Sequence, residues 1–341
     1  MDQKEFIRLQ ESRSHLVILG AGASIATIPT GDKNGKKISA MDNFIKNMGL
    51  ENILEKCLIE TNSQNLEDIY SELYNKPKYK KELKALEKCI REDFEKFEIP
   101  DHMTIYDYLI ISMRKKDLIA SFNWDPLLIQ AYSRMRQITT DIPDLVFLHG
   151  NVLAGFCEAC NSYGHFKNRC QKCNDKYIKQ PLLYPVKEKD YNSSPFIKEQ
   201  WKKVKLFMED STVVTFFGYS APKSDLEAIN ILKSIYNTDV IHSFDLIEII
   251  DIKPKDELIR TWDSFVSLKH DHKPQYIKSF FNSILAEFPR RSIEGYTKRY
   301  FEGWWGEGKY PISEKTKSIS DFKNEILPIL EDEEHDNYSV V

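Results

Sequence analysis

Five short apolar runs, each followed directly by polar or glycine residues, constrain the fold of this chain most strongly. The runs lie at 16–19, 118–121, 145–148, 212–217 and 246–250. Runs of this length and composition are typical of strands that are buried on both faces of a parallel sheet. The sequence therefore predicts an α/β fold with an open parallel sheet, in which a ligand binds outside the carboxyl ends of the strands.

The first run leads into a glycine-spaced turn, Gly20-Ala21-Gly22-Ala23-Ser24, which can open a helix. Strand, tight turn and helix together outline a phosphate cradle. Gly20 and Gly22 let backbone N–H groups approach an anion, and a helix N-terminus favours negative charge. An ordinary tight turn has the same pattern, so the turn by itself leaves both interpretations open.

Length and charge limit the class of protein further. The chain has 341 residues, 41% of them hydrophobic, which is enough for two domains or for one large domain with insertions. Its 48 basic and 52 acidic residues give a net charge of −4, so nucleic acid is not indicated as a partner. The charged N-terminal residues do not resemble a secretory signal, and no apolar run reaches the roughly 18 residues of a membrane helix. We therefore expect a cytoplasmic protein without a membrane partner.

Two C-x2-C pairs lie between the third and fourth runs: Cys157, Cys160, Cys170 and Cys173. Each pair can supply two thiolates from one tight turn, which fits tetrahedral coordination of Zn²⁺. A reducing cytoplasm disfavours the alternative of disulfides. We predict a structural zinc site that stabilises a small lobe at 151–185. We interpret His165, inside the loop, as a bystander that does not bind the metal.

The other segments frame the predicted sheet domain, which comprises residues 1–40 and 118–285. Residues 41–117 carry apolar residues at helical spacing among lysines and glutamates, which predicts a helical insertion. Residues 255–285 are predicted to be helices that close the sheet. Residues 286–341 form a C-terminal extension with an acidic end, and its last ten residues are predicted to be disordered.

Six motifs, taken in chain order, resemble the sirtuin family: Gly20-Ala21-Gly22-Ala23-Ser24, Phe122-Asn123-Trp124-Asp125, His149-Gly150, the four cysteines, Gly218-Tyr219-Ser220 and Asp251. Sirtuins are zinc-bearing enzymes with a Rossmann-like parallel sheet, and they cleave NAD at its nicotinamide bond. The resemblance spans residues 14–285. It implies a Rossmann-like fold here, with NAD as substrate and zinc as a structural ion.

The resemblance also implies a role for each motif. Asn123 and Asp125 would line the nicotinamide pocket, and His149 would act on the ribose as a general base. These three are the candidate catalytic residues, since a neutral imidazole accepts a proton near neutral pH and an amide in a dry pocket can orient a reactant. The implied cofactor-binding residues are Gly20, Ala21, Gly22, Ser24, Phe122, Trp124, Gly218, Ser220 and Asp251.

Each candidate catalytic residue also has a structural interpretation. Asn123 can cap a helix, Asp125 can lie in the first turn of that helix, and His149 can simply end a strand. For each residue taken alone the structural role is the more common one. The ordered set of motifs favours the functional one.

Two departures from the sirtuin pattern bear on which molecule, water or an acyl-lysine, accepts the ribose of NAD. Residues 28–33 lack the phenylalanine and arginine that deacylating sirtuins carry behind the glycine turn. After the four cysteines, Leu182-Leu183-Tyr184-Pro185-Val186-Lys187 replaces the segment that pairs with an acyl-lysine peptide, and Pro185 cannot donate a backbone hydrogen bond there. The pattern is more similar to bacterial sirtuin-like effectors of phage defence, in which water replaces acyl-lysine. We therefore expect an NAD hydrolase that produces nicotinamide and ADP-ribose.

Two other functions stay open at this point. One is an NAD-dependent protein-lysine deacylase, and the other is a non-catalytic protein that binds NAD or ADP-ribose and regulates a partner. An enzyme that depletes NAD needs restraint, so we also expect a homo-oligomer or a protein partner that activates or restrains it. The helical insertion and the C-terminal extension are the candidate surfaces for such an assembly.

Overall fold

The computed structural model describes residues 12–39, 44–184, 194–220, 225–236, 246–262, 274–314, 318–335 and 340. The strands in this part of the chain are β1 (Ser14–Leu19), β2 (Leu118–Ser121), β3 (Asp144–Phe147), β4 (Ala154–Cys157), β5 (Ser162–His165), β6 (Ile178–Lys179), β7 (Ser211–Phe217), β8 (Leu246–Ile250) and β9 (Gln275–Ile277). All five apolar runs are strands, as predicted.

The helices of the same part are α1 (Ala21–Thr27), α2 (Phe44–Asn47), α3 (Glu51–Leu54), α4 (Leu66–Tyr74), α5 (Lys80–Phe94), α6 (Ile105–Ile111), α7 (Leu127–Met135), α8 (Pro195–Asp210), α9 (Leu226–Tyr236), α10 (Lys255–Trp262), α11 (Ile284–Glu287), α12 (Ser292–Tyr300) and α13 (Ile319–Glu334). Short 3₁₀ turns lie at Pro77–Tyr79 and Phe280–Asn282. Among the described helices, none has the length and apolar character that a membrane crossing requires.

Six of the described strands form one parallel sheet in the order β3-β2-β1-β7-β8-β9. Counted along the chain within this sheet, the order is 3-2-1-4-5-6. This is the doubly wound order of the Rossmann-like folds, in which the chain reverses direction across the sheet between the first and fourth strands. The fold class predicted from the apolar runs is confirmed.

The central strands of this sheet are buried on both faces. Every residue of β1 is buried, as is every residue of β7. Helices therefore cover the sheet on either side, which explains why these strands read as continuous apolar runs and not as alternating ones. The edge strand β9 was not predicted, since the segment was expected to be helical. Its three residues are too few for a strand pattern, and its pairing with β8 is a tertiary contact.

The predicted helical insertion contains helices α2 to α6. Its longest helix, α5, buries Leu83, Leu86, Ile90 and Phe94, which lie on one face at helical spacing. The ring of Phe94 contacts the rings of Phe44 and Trp124, with centroids 6.0 and 5.8 Å away. The insertion therefore packs directly on the residues that follow β2.

A buried arginine ties the C-terminal helix to the sheet domain. The guanidinium of Arg290 is fully buried and pairs with Glu333 at 2.8 Å and with Asp141 at 2.9 Å. A buried cation requires such partners, and this fixes the last turn of α13. The predicted disorder is therefore wrong for residues 332–334, which are helical. Residues 336–339 and 341, also included in that prediction, lie outside the described part of the chain.

Candidate active site

The carboxyl ends of β1 and β7 meet at the point where the sheet reverses its strand order. Leu19 pairs with Phe217 at the ends of these strands. The loops that follow are Gly20–Ser24 and Gly218–Ser220, two of the predicted motifs. In sheets of this order the ligand crevice lies between the loops at this position. The topology thus brings the two motifs to the edge of one crevice, although about 200 residues separate them.

The glycines of these loops interlock. The N–H groups of Gly20 and Gly22 donate to the carbonyl oxygens of Phe217 and Gly218, at 3.0 and 2.9 Å. A Cβ on Gly22 would lie 2.7 Å from the Cα of Gly218, and Gly218 itself has a φ of 61°. Both positions therefore require glycine. The structure gives these glycines a packing role, and their contact with a phosphate stays a prediction.

Asn123 follows β2, where its own N–H donates to Ser121 Oγ at 3.0 Å. Its amide nitrogen lies 2.8 Å from the carbonyl oxygen of Gly20, 2.9 Å from Ser24 Oγ and 3.0 Å from Tyr106 Oη. The backbone carbonyl oxygen of Gly20 can only accept a hydrogen bond. The nitrogen of the Asn123 amide, and not its oxygen, must therefore face inward. Among the residues that the structure describes, none donates to Oδ1 of Asn123. That oxygen is available as an acceptor for a bound molecule.

Asp125 is connected to this amide through Ser24 and is also buried. Its Oδ2 accepts from Ser24 Oγ at 2.6 Å, and its Oδ1 accepts from the N–H of Leu127 at 3.1 Å, in the first turn of α7. Its backbone carbonyl accepts from Asn151 Nδ2 at 2.6 Å. Burial raises the pKa of Asp125 from 3.8 to about 6, against the opposing effect of these donors. Asp125 thus supports a helix end and also forms part of the polar cluster.

His149 follows β3 and contributes a buried imidazole. Its ring meets the edge of the Phe122 ring with centroids 4.7 Å apart, and Phe122 stacks on Tyr219 at 4.5 Å. The loops after β2, β3 and β7 therefore meet through three rings. The Nε2 of His149 lies 3.7 Å from Oδ1 of Asp225, a buried carboxylate that the sequence analysis did not assign. A carboxylate at this distance stabilises the imidazolium that forms when the imidazole accepts a proton.

The other predicted site residues lie in different surroundings. The ring of Trp124 packs against Phe94 and Tyr184 at 5.8 and 5.3 Å, which is an aromatic core contact. Asp251 follows β8, and its Oδ1 accepts from the N–H of Lys253 at 3.0 Å. Ala21 and Ser220 are exposed at the two crevice loops. Direct contacts thus link Gly20, Ser24, Asn123 and Asp125, but the described contacts do not join Trp124 or Asp251 to them.

Three residues of this region were missed by sequence reasoning: Tyr106, Asn151 and Asp225. Tyr106 carries no sequence signal, because a tyrosine among apolar residues of a helix is an ordinary core residue. Asn151 and Asp225 follow predicted strand ends, at His149-Gly150 and Gly218-Tyr219-Ser220. That position at the carboxyl edge of a sheet was a usable signal.

The four cysteines come together as the spacing predicts. Their Sγ atoms all lie within 4.8 Å of one another, and those of Cys157 and Cys173 are 3.5 Å apart. Tetrahedral zinc with Zn–S bonds of about 2.3 Å places its sulfurs about 3.8 Å apart, so the donor set fits Zn²⁺. The N–H of Lys172 donates to Cys170 Sγ at 3.4 Å, as expected for a thiolate ligand.

The lobe around this site has little apolar core of its own. It is a small antiparallel sheet, β5-β4-β6, and its separate buried cluster consists of Cys157, Cys170 and Tyr177. A structural zinc ion would supply the cross-links that this core lacks. The Nδ1 of His165 accepts from the N–H of Lys167 at 3.2 Å, which agrees with its interpretation as a bystander.

The raised pKa of Asp125 predicts a pH-dependent gain in stability for Asp125→Asn. The pKa is higher in the folded than in the unfolded chain. Ionisation of Asp125 therefore lowers the stability of the folded protein increasingly as the pH rises from about 4 to about 6. Between pH 4.5 and pH 8, the difference in stability between the two proteins is expected to shift in favour of the variant by about 2 kcal/mol.

Urea unfolding of both proteins at these two pH values measures this difference, because all other titrating groups are shared. Asp101→Asn, at an exposed carboxylate, is the matched control and should show no such gain at pH 8. An equal difference between Asp125→Asn and wild type at both pH values would contradict the assignment.

The strand order, the two interlocked loops and the buried polar cluster together define a Rossmann-like protein with a candidate ligand site at the switch point of its sheet. The chain is similar to solved Sir2 structures. One, bound to an acetylated peptide, has 13% identity and a TM-score of 0.38, with 89% of this chain and 99% of that chain covered. Another, a Sir2 homologue in complex with NAD, has 15% identity and a TM-score of 0.40, with 87% and 94% covered.

No protein-family model matches the chain, and no curated protein matches it. The likeness to the Sir2 structures is distant at these values. The fold class given above therefore rests on the strand order of the sheet, and the site on its own geometry.

Proposed function

We propose that this protein is an NAD hydrolase that cleaves the nicotinamide–ribose bond with water. The observation that carries the proposal is the buried amide of Asn123, held with its nitrogen inward and its oxygen available, beside the crevice of a dinucleotide-type sheet. An amide oxygen in this position can accept a hydrogen bond from the attacking water or from the carboxamide of nicotinamide. The sirtuin-like order of motifs supports NAD as the dinucleotide.

The reaction transfers the ribose from nicotinamide to water. The bond between the ribose C1′ and the nicotinamide nitrogen breaks, and its electron pair leaves with nicotinamide. Positive charge develops on the ribose, and the water oxygen forms the new bond to C1′. His149 accepts the proton that is released, directly or through a ribose hydroxyl, and the carboxylate of Asp225 at 3.7 Å stabilises the imidazolium. The buried surroundings exclude other water from the reacting atoms.

The surroundings of the segment that follows the four cysteines favour water over a peptide as the acceptor of the ribose. The N–H of Leu183 donates to the carbonyl oxygen of His149 at 2.9 Å. The ring of Tyr184 stacks on Tyr70 at 5.3 Å, and its hydroxyl donates to the carbonyl oxygen of Glu87 at 2.9 Å. The helical insertion thus holds the segment that would otherwise pair with an acyl-lysine peptide. Pro185, which was predicted to oppose such pairing, lies outside the described residues.

Incubation of the purified, zinc-loaded protein with NAD tests the proposal. We expect nicotinamide and ADP-ribose without any added peptide, and a rate about 10²- to 10⁴-fold lower in His149→Ala. Turnover that requires an acetyl-lysine peptide and yields O-acetyl-ADP-ribose would instead identify a deacylase. Tight ADP-ribose binding with no turnover, alone or with activating partners, would identify a non-catalytic regulator.

The cellular role that we propose is antiviral defence by depletion of NAD. Such a role requires restraint of the enzyme in healthy cells, which supports a homo-oligomer or a restraining partner. Phe301 and Trp305 are 71% and 66% exposed in the C-terminal extension, and aromatic residues of this kind are enriched in protein interfaces. Light scattering of the purified protein, with and without NAD, measures whether the chain self-associates.

A further inference from the structure

The tyrosine hydroxyl beside Ser24 and Asn123 belongs to a residue that no sequence motif includes. Tyr106 lies in the first turn of α6 and is fully buried. Its hydroxyl is 2.6 Å from Ser24 Oγ and 3.0 Å from the amide nitrogen of Asn123. A buried tyrosine packs its ring and needs a partner for its hydroxyl, and here both partners belong to the candidate site.

The directions of these hydrogen bonds follow from counting protons. Ser24 has a single hydroxyl proton, and the carboxylate of Asp125, at 2.6 Å, can only accept it while ionised. Ser24 Oγ must then accept from Tyr106, so the tyrosine donates its own proton to Ser24. The oxygen of Tyr106 is left to accept from the amide nitrogen of Asn123. A directed chain therefore runs from Tyr106 through Ser24 to Asp125.

The helix that carries Tyr106 is anchored next to it. Asp107 closes a capping box with Thr104, accepting from its N–H at 2.7 Å and from its hydroxyl at 2.6 Å. The same carboxylate pairs with Arg134 of α7, the helix that begins two residues after Asp125 in the chain. Because these contacts hold the start of α6 against α7, the Tyr106 hydroxyl stands at a fixed place relative to the polar cluster.

We propose that Tyr106 is a positioning residue, whose hydroxyl keeps the nitrogen of the Asn123 amide inward and its oxygen toward the bound substrate. The inference rests on the proposed function, because it concerns the same site. Removal of the hydroxyl takes away the donor that lies 2.6 Å from Ser24 Oγ and one of the three acceptors around the amide nitrogen of Asn123. The amide then samples orientations in which its nitrogen replaces its oxygen at the substrate. That change slows the chemical step more than it weakens binding of NAD.

The variant Tyr106→Phe tests this, with Tyr108→Phe as the matched control. Tyr108 is a buried tyrosine of the same helix whose ring packs against Phe281 and Phe322, outside the polar cluster. We expect Tyr106→Phe to lower kcat about 10-fold and to change KM for NAD by less than about twofold, since the hydroxyl that holds the Asn123 amide is lost. Tyr108→Phe should leave both constants unchanged.

A double-mutant cycle separates positioning from general damage to the fold. If Tyr106 acts through the amide of Asn123, which its hydroxyl contacts at 3.0 Å, Tyr106→Phe should slow Asn123→Ala by less than about twofold further. Equal slowing in both backgrounds, or a kcat of Tyr106→Phe equal to that of the wild type, would overturn the inference. If the wild-type protein itself releases no nicotinamide under any activating condition, the proposed function fails, and the inference fails with it.

Discussion

Replacement of Asn123 with alanine is expected to slow NAD cleavage by about 10³-fold, because the variant lacks the oriented amide that we propose faces the reacting atoms. The substitution also removes the donor to Gly20 O, a contact of 2.8 Å within the interlocked loops. A loss of stability of about 1–3 kcal/mol should accompany the loss of activity. The two effects have to be measured separately.

Asn65→Ala is a suitable control for this loss of stability. Asn65 caps α4 by accepting from the N–H of Glu67 at 2.8 Å, and it lies in the helical insertion. Its replacement should cost about 1 kcal/mol and leave the rate of nicotinamide release unchanged. Rates are measured by chromatography of nicotinamide, and stabilities by thermal unfolding. An Asn123→Ala protein that retains wild-type kcat would remove Asn123 from the mechanism.

The same pair of variants tests the proposed cellular role. Cells that express the wild-type protein should lose NAD after phage infection and restrict the phage, whereas cells with Asn123→Ala should do neither. Cells with Asn65→Ala should behave as the wild type. Restriction of phage by Asn123→Ala at full strength would separate defence from NAD cleavage.

Replacement of Cys157 with serine is expected to abolish zinc binding and to unfold the small lobe. Cys157 is buried, and its Sγ lies 3.5 Å from that of Cys173. Structural zinc sites contribute about 10–16 kcal/mol of apparent binding free energy, far more than a lobe with so small a core can replace. The wild type should contain about one zinc per chain, and Cys157→Ser should contain almost none.

Unfolding of the lobe should also disturb the candidate active site. The N–H of Leu183, near the end of the lobe, donates to the carbonyl oxygen of His149, and the carbonyl oxygen of Pro181 lies against Gly150. We therefore expect Cys157→Ser to lose most of its NAD cleavage as well as its metal. Cys89→Ser, at a half-buried cysteine of α5 outside the cluster, should keep both. Metal analysis and limited proteolysis measure the first effect. A Cys157→Ser protein with full zinc content and an intact lobe would contradict the prediction.

The sequence by itself was sufficient for features that depend on neighbours in the chain. The strands from β1 to β8 in the main sheet follow from apolar runs, and the metal cluster follows from two short cysteine spacings. Asn123, Asp125 and His149 were predicted as site residues because each follows a strand, where a parallel sheet collects such residues at one edge, and because the order of motifs resembles that of sirtuins. These are local patterns, because each is contained within a stretch of only a few residues.

Only the tertiary structure decided which side chains complete the site and what each one contacts. Tyr106 lies 82 positions from Ser24, and Arg290 lies 43 positions from Glu333, so no local pattern connects either pair. The structure also assigned the glycines to loop packing and the ring of Trp124 to an aromatic core. Such contacts arise when separately formed helices and strands pack together, and the geometry of that packing depends on the whole chain.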